Sequence, residues 1–206
     1  MATESQVSDE LIEKAVKAVR EGGVIIFPTD TVYGLGCDPS QASAVKRIFD
    51  LKQRRDKPLP VLASSIEVIG NVAELSETAS ELGGSFWPGA LTLLLKRRKG
   101  KLEEPALKLP TIGIRVPNHG VPLRIAEVTG GFLVGTSANI AGGKTPVTFE
   151  DIPKELLNQV NVAINSGPCR LGRESTIVDA TRIPPTIVRE GALKKDVFEE
   201  FFRGSS

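Results

Sequence analysis

The sequence predicts an α/β protein in which helices pack on a mixed sheet. Short apolar runs such as 24–28 and 91–95 alternate with segments of helical periodicity, and turn-forming residues separate them. The chain has 206 residues, 40% of them hydrophobic, which is enough for one domain with a buried core. No composition shift, repeat or linker divides it, so we expect residues 1–206 to form a single domain.

The elements follow from local patterns. Apolar residues at helical spacing between Leu11 and Val19 predict the first helix, which Gly22-Gly23 end. A buried strand at 24–28 then leads into a loop, and Ser40 is expected to cap a second helix. The same patterns predict a strand at 59–63, helical material to about residue 82, strands at 91–95 and 111–117, a helix at 120–129, strands at 131–136, 160–165, 175–180 and 186–190, and a helix at 192–203.

Composition excludes several classes of protein. No apolar run approaches the ~20 residues of a membrane span, and the acidic N-terminus does not resemble a secretory signal, so we expect a cytoplasmic location and no membrane partner. The net charge of +1 excludes a global attraction to nucleic acid, but not a local basic patch. Cys37 and Cys169 are expected to be buried, and His119 to be a surface residue at a turn or helix start. No metal site is predicted.

Two motif-like segments have plainer explanations. The segment 138–145, ANIAGGKT, differs from a Walker A motif at Ala138, and Pro146 disfavours the helix that must begin at its Lys-Thr pair. The glycines at 34 and 36 lack the third glycine of a dinucleotide fingerprint, because Pro39 stands there. Neither segment therefore predicts a nucleotide site by itself.

Polar residues gather at the ends of predicted strands, where α/β folds usually bind ligands. The loop PTDTVYGLG follows the strand at 24–28, and TSAN follows the strand at 131–136. RESTIVD and IVREG add a serine and an arginine in the same way. The basic segment 51–59, LKQRRDKPL, fits a phosphate site and a solvated loop equally well. Each of these segments alone is also compatible with an ordinary turn.

Taken together, these motifs resemble the YrdC-like family of threonylcarbamoyl-AMP synthases. The resemblance is carried by PTDTVYGLG, K-x-R at 52–54, S-x-N at 137–139, STIVD and R-x-G at 189–191, and it extends over about residues 10–195. It implies a twisted, open α/β sheet of YrdC/RibB-like type with a concave, positively charged cavity. Longer members carry an additional C-terminal domain, which we do not expect in a chain of 206 residues.

The resemblance also implies an activity, that of a nucleotidyltransferase. L-threonine, bicarbonate and ATP would yield threonylcarbamoyl-AMP and pyrophosphate, with Mg²⁺ on the triphosphate. A downstream transferase would pass the threonylcarbamoyl group to adenosine 37 of ANN-decoding tRNAs, so tRNA or double-stranded RNA is a further expected partner. Making the adenylate develops negative charge on phosphate and requires cations rather than a protein nucleophile, so the scarcity of histidine and cysteine is no obstacle.

Matched motifs imply the residue roles. Lys52 and Arg54 are the expected catalytic residues. The expected threonine-binding set is Thr31, Arg115, Ser137 and Ser175. The expected nucleotide-binding set is Lys52, Arg54, Thr111, Asn139 and Arg189. The chain departs from the family at Arg55, where a proline is usual, and at Leu62 or a neighbour, where some members carry a histidine that faces threonine.

Two other functions remain open from the sequence. The chain could be a non-catalytic module that binds double-stranded RNA or tRNA, for which the segment 96–101, KRRKGK, supplies a local basic cluster. A carbamoyl-adenylate enzyme with another acceptor is the third alternative. It is disfavoured because the chain lacks the length and the cysteines of such multidomain proteins.

Overall fold

A computed structural model describes residues 7–53, 58–98, 102 and 109–204. Arg54 and Arg55 lie outside these residues, as do the last three residues of the basic segment 96–101. In the described part of the chain the helices are α1 (Asp9–Arg20), α2 (Ala42–Lys52), α3 (Glu77–Phe86), α4 (Gly120–Val128), α5 (Lys154–Leu157) and α6 (Lys195–Gly204). None of these described helices has the length and apolar character that crossing a bilayer requires.

The strands confirm the α/β class and divide into two mixed sheets. They are β1 (Ile25–Phe27), β2 (Gly34–Gly36), β3 (Val61–Ala63), β4 (Ala73–Glu74), β5 (Leu91–Arg97), β6 (Thr111–Arg115), β7 (Phe132–Val134), β8 (Thr136–Ser137), β9 (Val162–Ala163), β10 (Thr176–Asp179) and β11 (Thr186–Arg189). The smaller sheet has the order β8-β2-β1-β9, and the larger has the order β11-β10-β5-β6-β3-β7, with β4 paired to β5. Strand β1 pairs antiparallel with β2 but parallel with β9, and β5 pairs antiparallel with β6 but parallel with β10.

Helix α1 shows how local signals set an element. The Ser8 side chain accepts a hydrogen bond from the backbone N–H of Leu11 at 3.3 Å and so caps the helix. Acidic residues occupy its first turn and basic residues its last turn, which suits the helix dipole. The chain then turns at Gly22, whose φ of +79° is left-handed and favours glycine.

Two groups of buried apolar side chains hold the sheets and helices in place. The larger group joins the sheets, with Ile26 and Leu35 from the smaller and Leu93 and Ile114 from the larger. The second group packs α1 and α4 against β1 and β7. Each fully buried Leu, Ile or Phe contributes about 1.5–3 kcal/mol to stability. This packing fixes the strand ends that carry the polar residues.

Several local expectations were wrong. The predicted loop after β1 contains strand β2, which pairs with both β1 and β8. Ser40 does not cap α2; its hydroxyl bonds to Asp38 at 2.7 Å, and α2 follows Gln41 without a side-chain cap. His119 is buried instead of exposed, because its ring caps α4 by accepting the N–H of Val121 at 3.2 Å. No helix begins at residues 144–145, which agrees with the rejection of a Walker A motif.

Candidate functional site

A cavity of about 490 Å³ lies where strands from both sheets end. Its walls come from segments that are far apart in the sequence and that the two sheets bring together. Five of the predicted site residues line it: Thr31, Arg115, Ser137, Ser175 and Arg189. The remaining described ones, Lys52, Thr111 and Asn139, do not line it.

The turn that follows β1 places Thr31 at the cavity. The Thr29 hydroxyl accepts the backbone N–H groups of Thr31 and Val32, both at 3.1 Å, and donates to the Val32 carbonyl at 2.7 Å. The two threonine hydroxyls lie 2.9 Å apart. Because one side chain satisfies three neighbouring backbone groups, it holds this buried turn in place.

Arg115, at the end of β6, forms the deep end of the cavity and pairs with Asp30. Its guanidinium donates to the Thr31 hydroxyl at 2.7 Å, to the Gly89 carbonyl at 2.8 Å and to one carboxylate oxygen of Asp30. The Arg115 and Asp30 side chains are only 6% and 1% exposed. Burial lowers the pKa of Arg115 from its ordinary value, and the charge of Asp30 opposes that shift. An arginine held in this way presents fixed donors for an anion.

A second pair of hydroxyl groups lines the cavity, one on β5 and one just before β10. Ser175 stands immediately before β10, and its hydroxyl lies 2.8 Å from that of Thr92 in β5. Both residues line the cavity and both are buried. The parallel pairing of β10 with β5 brings these two strands side by side.

Lys52 and Asn139 lie behind the cavity and hold the S-x-N turn. The buried ammonium of Lys52 donates to the carbonyl oxygens of Ser137 and Asn139, at 2.5 and 2.8 Å, and to the Asn139 side-chain oxygen at 3.2 Å. That oxygen also accepts from the Ser137 hydroxyl at 2.7 Å, while the amide nitrogen of Asn139 donates to the Gly143 carbonyl at 2.6 Å. In this geometry Lys52 holds the turn at residues 137–139 through these hydrogen bonds.

Arg189, at the end of β11, stands at the rim of the cavity. It donates to the Glu174 carboxylate at 3.0 Å and to the Ser175 carbonyl at 2.9 Å, and its side chain is 40% exposed. The backbone at Gly191, the glycine of the R-x-G motif, packs closely against the backbone at Glu174. A side chain would not fit there, since a Cβ on Gly191 would lie 2.3 Å from the Glu174 carbonyl oxygen. Thr176 closes the same segment by accepting the N–H of Gly191 at 2.9 Å.

The cavity floor is apolar and narrow. Leu62 lines it, and a Cβ on Gly135 would lie 2.5 Å from its side chain. Gly113 lines it between Thr111 and Arg115 on the same strand. Thr111 lies four residues before Arg115, about 13 Å along the strand, beyond the lining residues.

The sequence comparison decides the family. The Sua5/YciO/YrdC family model, described as "Telomere recombination", matches residues 17–191. The chain belongs to the Sua5/YciO/YrdC family. A threonylcarbamoyl-AMP synthase of Pyrococcus abyssi is 34% identical over 197 residues, which is 95% of this chain and 58% of that protein.

Solved structures of the Sua5/YciO/YrdC family agree with the fold. Pyrococcus abyssi Sua5 complexed with L-threonine superimposes with a TM-score of 0.89 at 34% identity, covering 95% of this chain and 58% of that one. Escherichia coli YciO gives a TM-score of 0.80 at 31% identity, covering 91% and 92% of the two chains. The chain thus spans little more than half the length of Pyrococcus abyssi Sua5 but nearly all of YciO.

Three partner residues escaped prediction in this member of the Sua5/YciO/YrdC family. Asp30 pairs with Arg115, Thr92 with Ser175, and Glu174 with Arg189. Thr92 carried a signal, as a polar residue inside the apolar run 91–95. Asp30 and Glu174 stand inside quoted motifs, where turn propensity was sufficient to explain them.

Proposed function

We propose that the chain is a threonylcarbamoyl-AMP synthase, which forms threonylcarbamoyl-AMP and pyrophosphate from L-threonine, bicarbonate and ATP. The observation that carries the proposal is the convergence of Thr31, Arg115, Ser137, Ser175 and Arg189 on one cavity, in a chain whose family relatives bear that name. The L-threonine complex of the related Pyrococcus abyssi protein supports the choice of amino acid.

The deep end of the cavity suits the amino acid. Threonine carries a carboxylate, an amino group and a hydroxyl, and Arg115 with its neighbouring hydroxyl groups supplies matched partners for all three. A buried site that hydrogen-bonds a substrate hydroxyl rejects analogues without it, because its own polar groups are then left unpaired. The apolar side chain of Leu62 provides contact for a methyl group.

The rim suits the nucleotide. In the proposed step an oxygen of threonine carbamate attacks the α-phosphorus of ATP, a new P–O bond forms, and the bond to pyrophosphate breaks. Negative charge on the phosphates is stabilised by cations. Among the described residues two cations line the cavity, and the side chain of Arg189 is 40% exposed whereas Arg115 is buried. Arg189 is therefore the described cation best placed to receive a phosphate oxygen.

Lys52 and Mg²⁺ have supporting roles in the proposal. Lys52 holds the turn that carries Ser137, so it acts on the substrate through that turn. Mg²⁺ usually keeps several waters and binds through phosphates and one or two carboxylates. The described residues contain no cluster of acidic or histidine side chains that could hold a metal, and Glu174 is the carboxylate that lines the cavity. These residues fit an ion that arrives with the triphosphate and screens its charge.

The test is pyrophosphate release from ATP with Mg²⁺ and bicarbonate, with and without L-threonine, and with L-serine as the control. We expect release that depends on threonine, together with a product of the mass of threonylcarbamoyl-AMP. In the same proposal a separate transferase passes the product to adenosine 37 of tRNA. Absence of release from folded protein under every condition would refute the proposed reaction.

The RNA-binding alternative gains little support from the described residues. In the basic segment 96–101, Lys96 pairs with Glu74 at 3.7 Å, and Arg97 donates to the Leu102 carbonyl. A module that only binds RNA has no use for a cavity lined by buried hydroxyl groups. Its affinity would fall steeply with salt and would be indifferent to threonine.

A further inference from the structure

Helix α6 covers the end of α3 with aromatic side chains. Phe198 and Phe201 stand three residues apart, so they share one face of α6. Their ring centroids lie 5.2 and 5.7 Å from that of Phe86, the last residue of α3, at distances where aromatic rings attract one another. Phe198 is only 1% exposed. The match to the family model ends at residue 191, so α6 holds the end of α3 from outside the matched range.

The chain turns tightly after α3, so the position of Phe86 determines that of Gly89. A Cβ on Gly89 would lie 2.5 Å from the Phe86 carbonyl oxygen, which places the two backbones in close contact. The backbone N–H of Trp87 donates to the Gly83 carbonyl at 2.9 Å, and its indole N–H donates to the Leu91 carbonyl at 2.7 Å. These bonds tie the turn to α3 and to the start of β5. A displacement of Phe86 therefore displaces Gly89 as well.

Gly89 in turn holds the buried arginine of the cavity through its backbone. Its carbonyl oxygen accepts the Nε–H of Arg115 at 2.8 Å, and its N–H donates to the Val116 carbonyl at 2.8 Å. One residue thus fixes both the end of β6 and the plane of the guanidinium. The next residue, Ala90, accepts the backbone N–H of Thr176 in β10 at 2.9 Å. The turn after α3 therefore joins β6 to β10, and both strands contribute residues that line the cavity.

The segment that leads into α6 is also tied to β10. The Thr176 hydroxyl donates to the Leu193 carbonyl at 2.6 Å and accepts the N–H groups of Gly191 and Leu193 at 2.9 and 3.1 Å. A hydroxyl has one proton and two lone pairs, so these three bonds use its full capacity. The N–H of Ala192 donates to the Glu174 carbonyl at 2.8 Å. Helix α6 is thus anchored beside β10 at one end and packs its aromatic face on α3.

We propose that Phe198 and Phe201 are positioning residues, which hold the turn after α3 and thereby orient Arg115. Neither side chain lines the cavity, so they act on a ligand only through that turn. A guanidinium presents its N–H groups in one plane, so a small rotation misaligns several hydrogen bonds at once. The identity of the ligand, L-threonine, rests on the proposed function. Loosening α6 should weaken L-threonine more than ATP, because Arg115 lies at the deep end and the nucleotide is proposed to bind at the rim.

The first test is amide hydrogen exchange, followed by NMR, in ligand-free Phe198→Ala. We expect the N–H of Gly89 to exchange about tenfold faster than in wild type, because the turn opens locally. The N–H of Ile164, which donates to the Ile26 carbonyl at 2.9 Å in the smaller sheet, should change by less than about twofold. Val197→Ala is the control on the same helix, at a side chain 37% exposed, and should leave both rates unchanged. Equal acceleration at the two amides would indicate a general loss of stability and would overturn the proposal.

The second test measures KM in threonine-dependent pyrophosphate release. We expect Phe198→Ala to raise KM for L-threonine by about tenfold and KM for ATP by less than about twofold, because a displaced guanidinium binds its partner poorly. Phe198→Leu keeps an apolar contact on α3 and should recover most of the loss. Val19→Ala opens space in the second group of buried side chains, under α1, and should change neither KM. An equal rise in both KM values, or the same threonine effect in Val19→Ala, would contradict the proposal.

The two tests separate this inference from the proposed function. If wild type releases no pyrophosphate with L-threonine, the proposed reaction fails, and the exchange rate at Gly89 still decides whether α6 holds the turn. Phe201 is only partly buried, so Phe201→Ala is the milder variant if Phe198→Ala does not fold. It should accelerate exchange at Gly89 in the same direction and by a smaller factor. An unchanged rate at Gly89 in a folded variant would overturn the inference.

Discussion

The cavity holds two arginines, each paired with an acidic residue, in opposite environments. Arg115 and Asp30 lie at the deep end with side chains 6% and 1% exposed, while Arg189 and Glu174 lie at the rim with side chains 40% and 36% exposed. Arg115 also makes two further hydrogen bonds inside the protein. The deep arginine is thus part of the folded core, whereas the rim arginine is accessible to solvent.

This difference separates two roles. Breaking a buried pair leaves a charge without a partner in a poorly polarisable environment, so separating Asp30 from Arg115 is costly. An exposed pair contributes little to stability, and its partner can be exchanged at small cost. In the proposed reaction Arg189 can therefore exchange Glu174 for a phosphate, while Arg115 keeps its partners inside the protein.

Removal of the buried carboxylate of Asp30 should have the largest effect on stability. We expect Asp30→Asn to lower the free energy of unfolding by about 3 kcal/mol, because the buried guanidinium keeps its charge and loses its counterion. Asp9→Asn is the matched control, since Asp9 pairs with Arg124 at 2.6 Å with both side chains more than half exposed. The control should change stability by less than about 1 kcal/mol in urea unfolding. Similar values for the two variants would refute the distinction.

Substitution of Arg189 at the rim should affect activity strongly and stability little. We expect Arg189→Ala to lower kcat/KM for ATP by about 10- to 100-fold, because a phosphate loses its cation, and to change stability by less than about 1 kcal/mol. Arg182→Ala is the control, because Arg182 pairs with Asp179 at 3.0 Å on the same hairpin but outside the cavity. A normal rate with ATP in Arg189→Ala would remove this residue from the nucleotide site.

Removal of the charge of Glu174, the carboxylate at the rim, should have a smaller effect and should strengthen phosphate binding. Glu174 competes with any phosphate for Arg189, so Glu174→Gln should tighten inhibition by pyrophosphate by about two- to fivefold. The gain should shrink as salt rises, because the site is partly exposed. Weaker inhibition in this variant would mean that Glu174 holds Arg189 in place for its ligand.

The smallest effect concerns a carboxylate whose partners are mainly N–H groups. Hydrogen bonds from the backbone of Thr148, from Lys144 and from the backbone of Val147 lower the pKa of Asp151 below its ordinary value. Its ionised form therefore stabilises the fold above pH ~4, and this contribution disappears as the pH falls through the lowered pKa. Asp151→Asn should unfold earlier than wild type in urea at pH 6, by a margin that narrows toward acidic pH. A constant margin would contradict this origin.

Local signals predicted most of the fold but not the partners of its strands. Apolar runs placed β5 and β6 correctly, and Gly22 follows the end of α1 as predicted. The division into two sheets depends on which distant strands pair, and no local pattern encodes that choice. The misplaced Ser40 cap has a local cause, because the side chain of Asp38, two residues earlier, accepts hydrogen bonds from both the backbone N–H and the hydroxyl of Ser40.

In the candidate site, too, local sequence patterns predicted some residues and missed those that depend on distant contacts. Motifs identified the side chains that line the cavity, since polar residues at strand ends are visible in the sequence. The residues that position them were not predicted, because Asp30 lies 85 positions from Arg115 and Thr92 lies 83 from Ser175. Burial of Lys52 was also missed: a basic residue at a helix end is usually solvated, and here it ends beneath the S-x-N turn.

The parallel pairing of β1 with β9 has a consequence for how the protein matures. Next to this pairing, Val24 bonds to Asn161 across 137 positions, and the cavity uses residues from 31 to 189. Such distant contacts form late in folding. A nascent chain can therefore complete this cavity only after residue 189 has left the ribosome. Once formed, the pocket ties both halves of the chain together, so a bound ligand protects the whole molecule against unfolding by mass action.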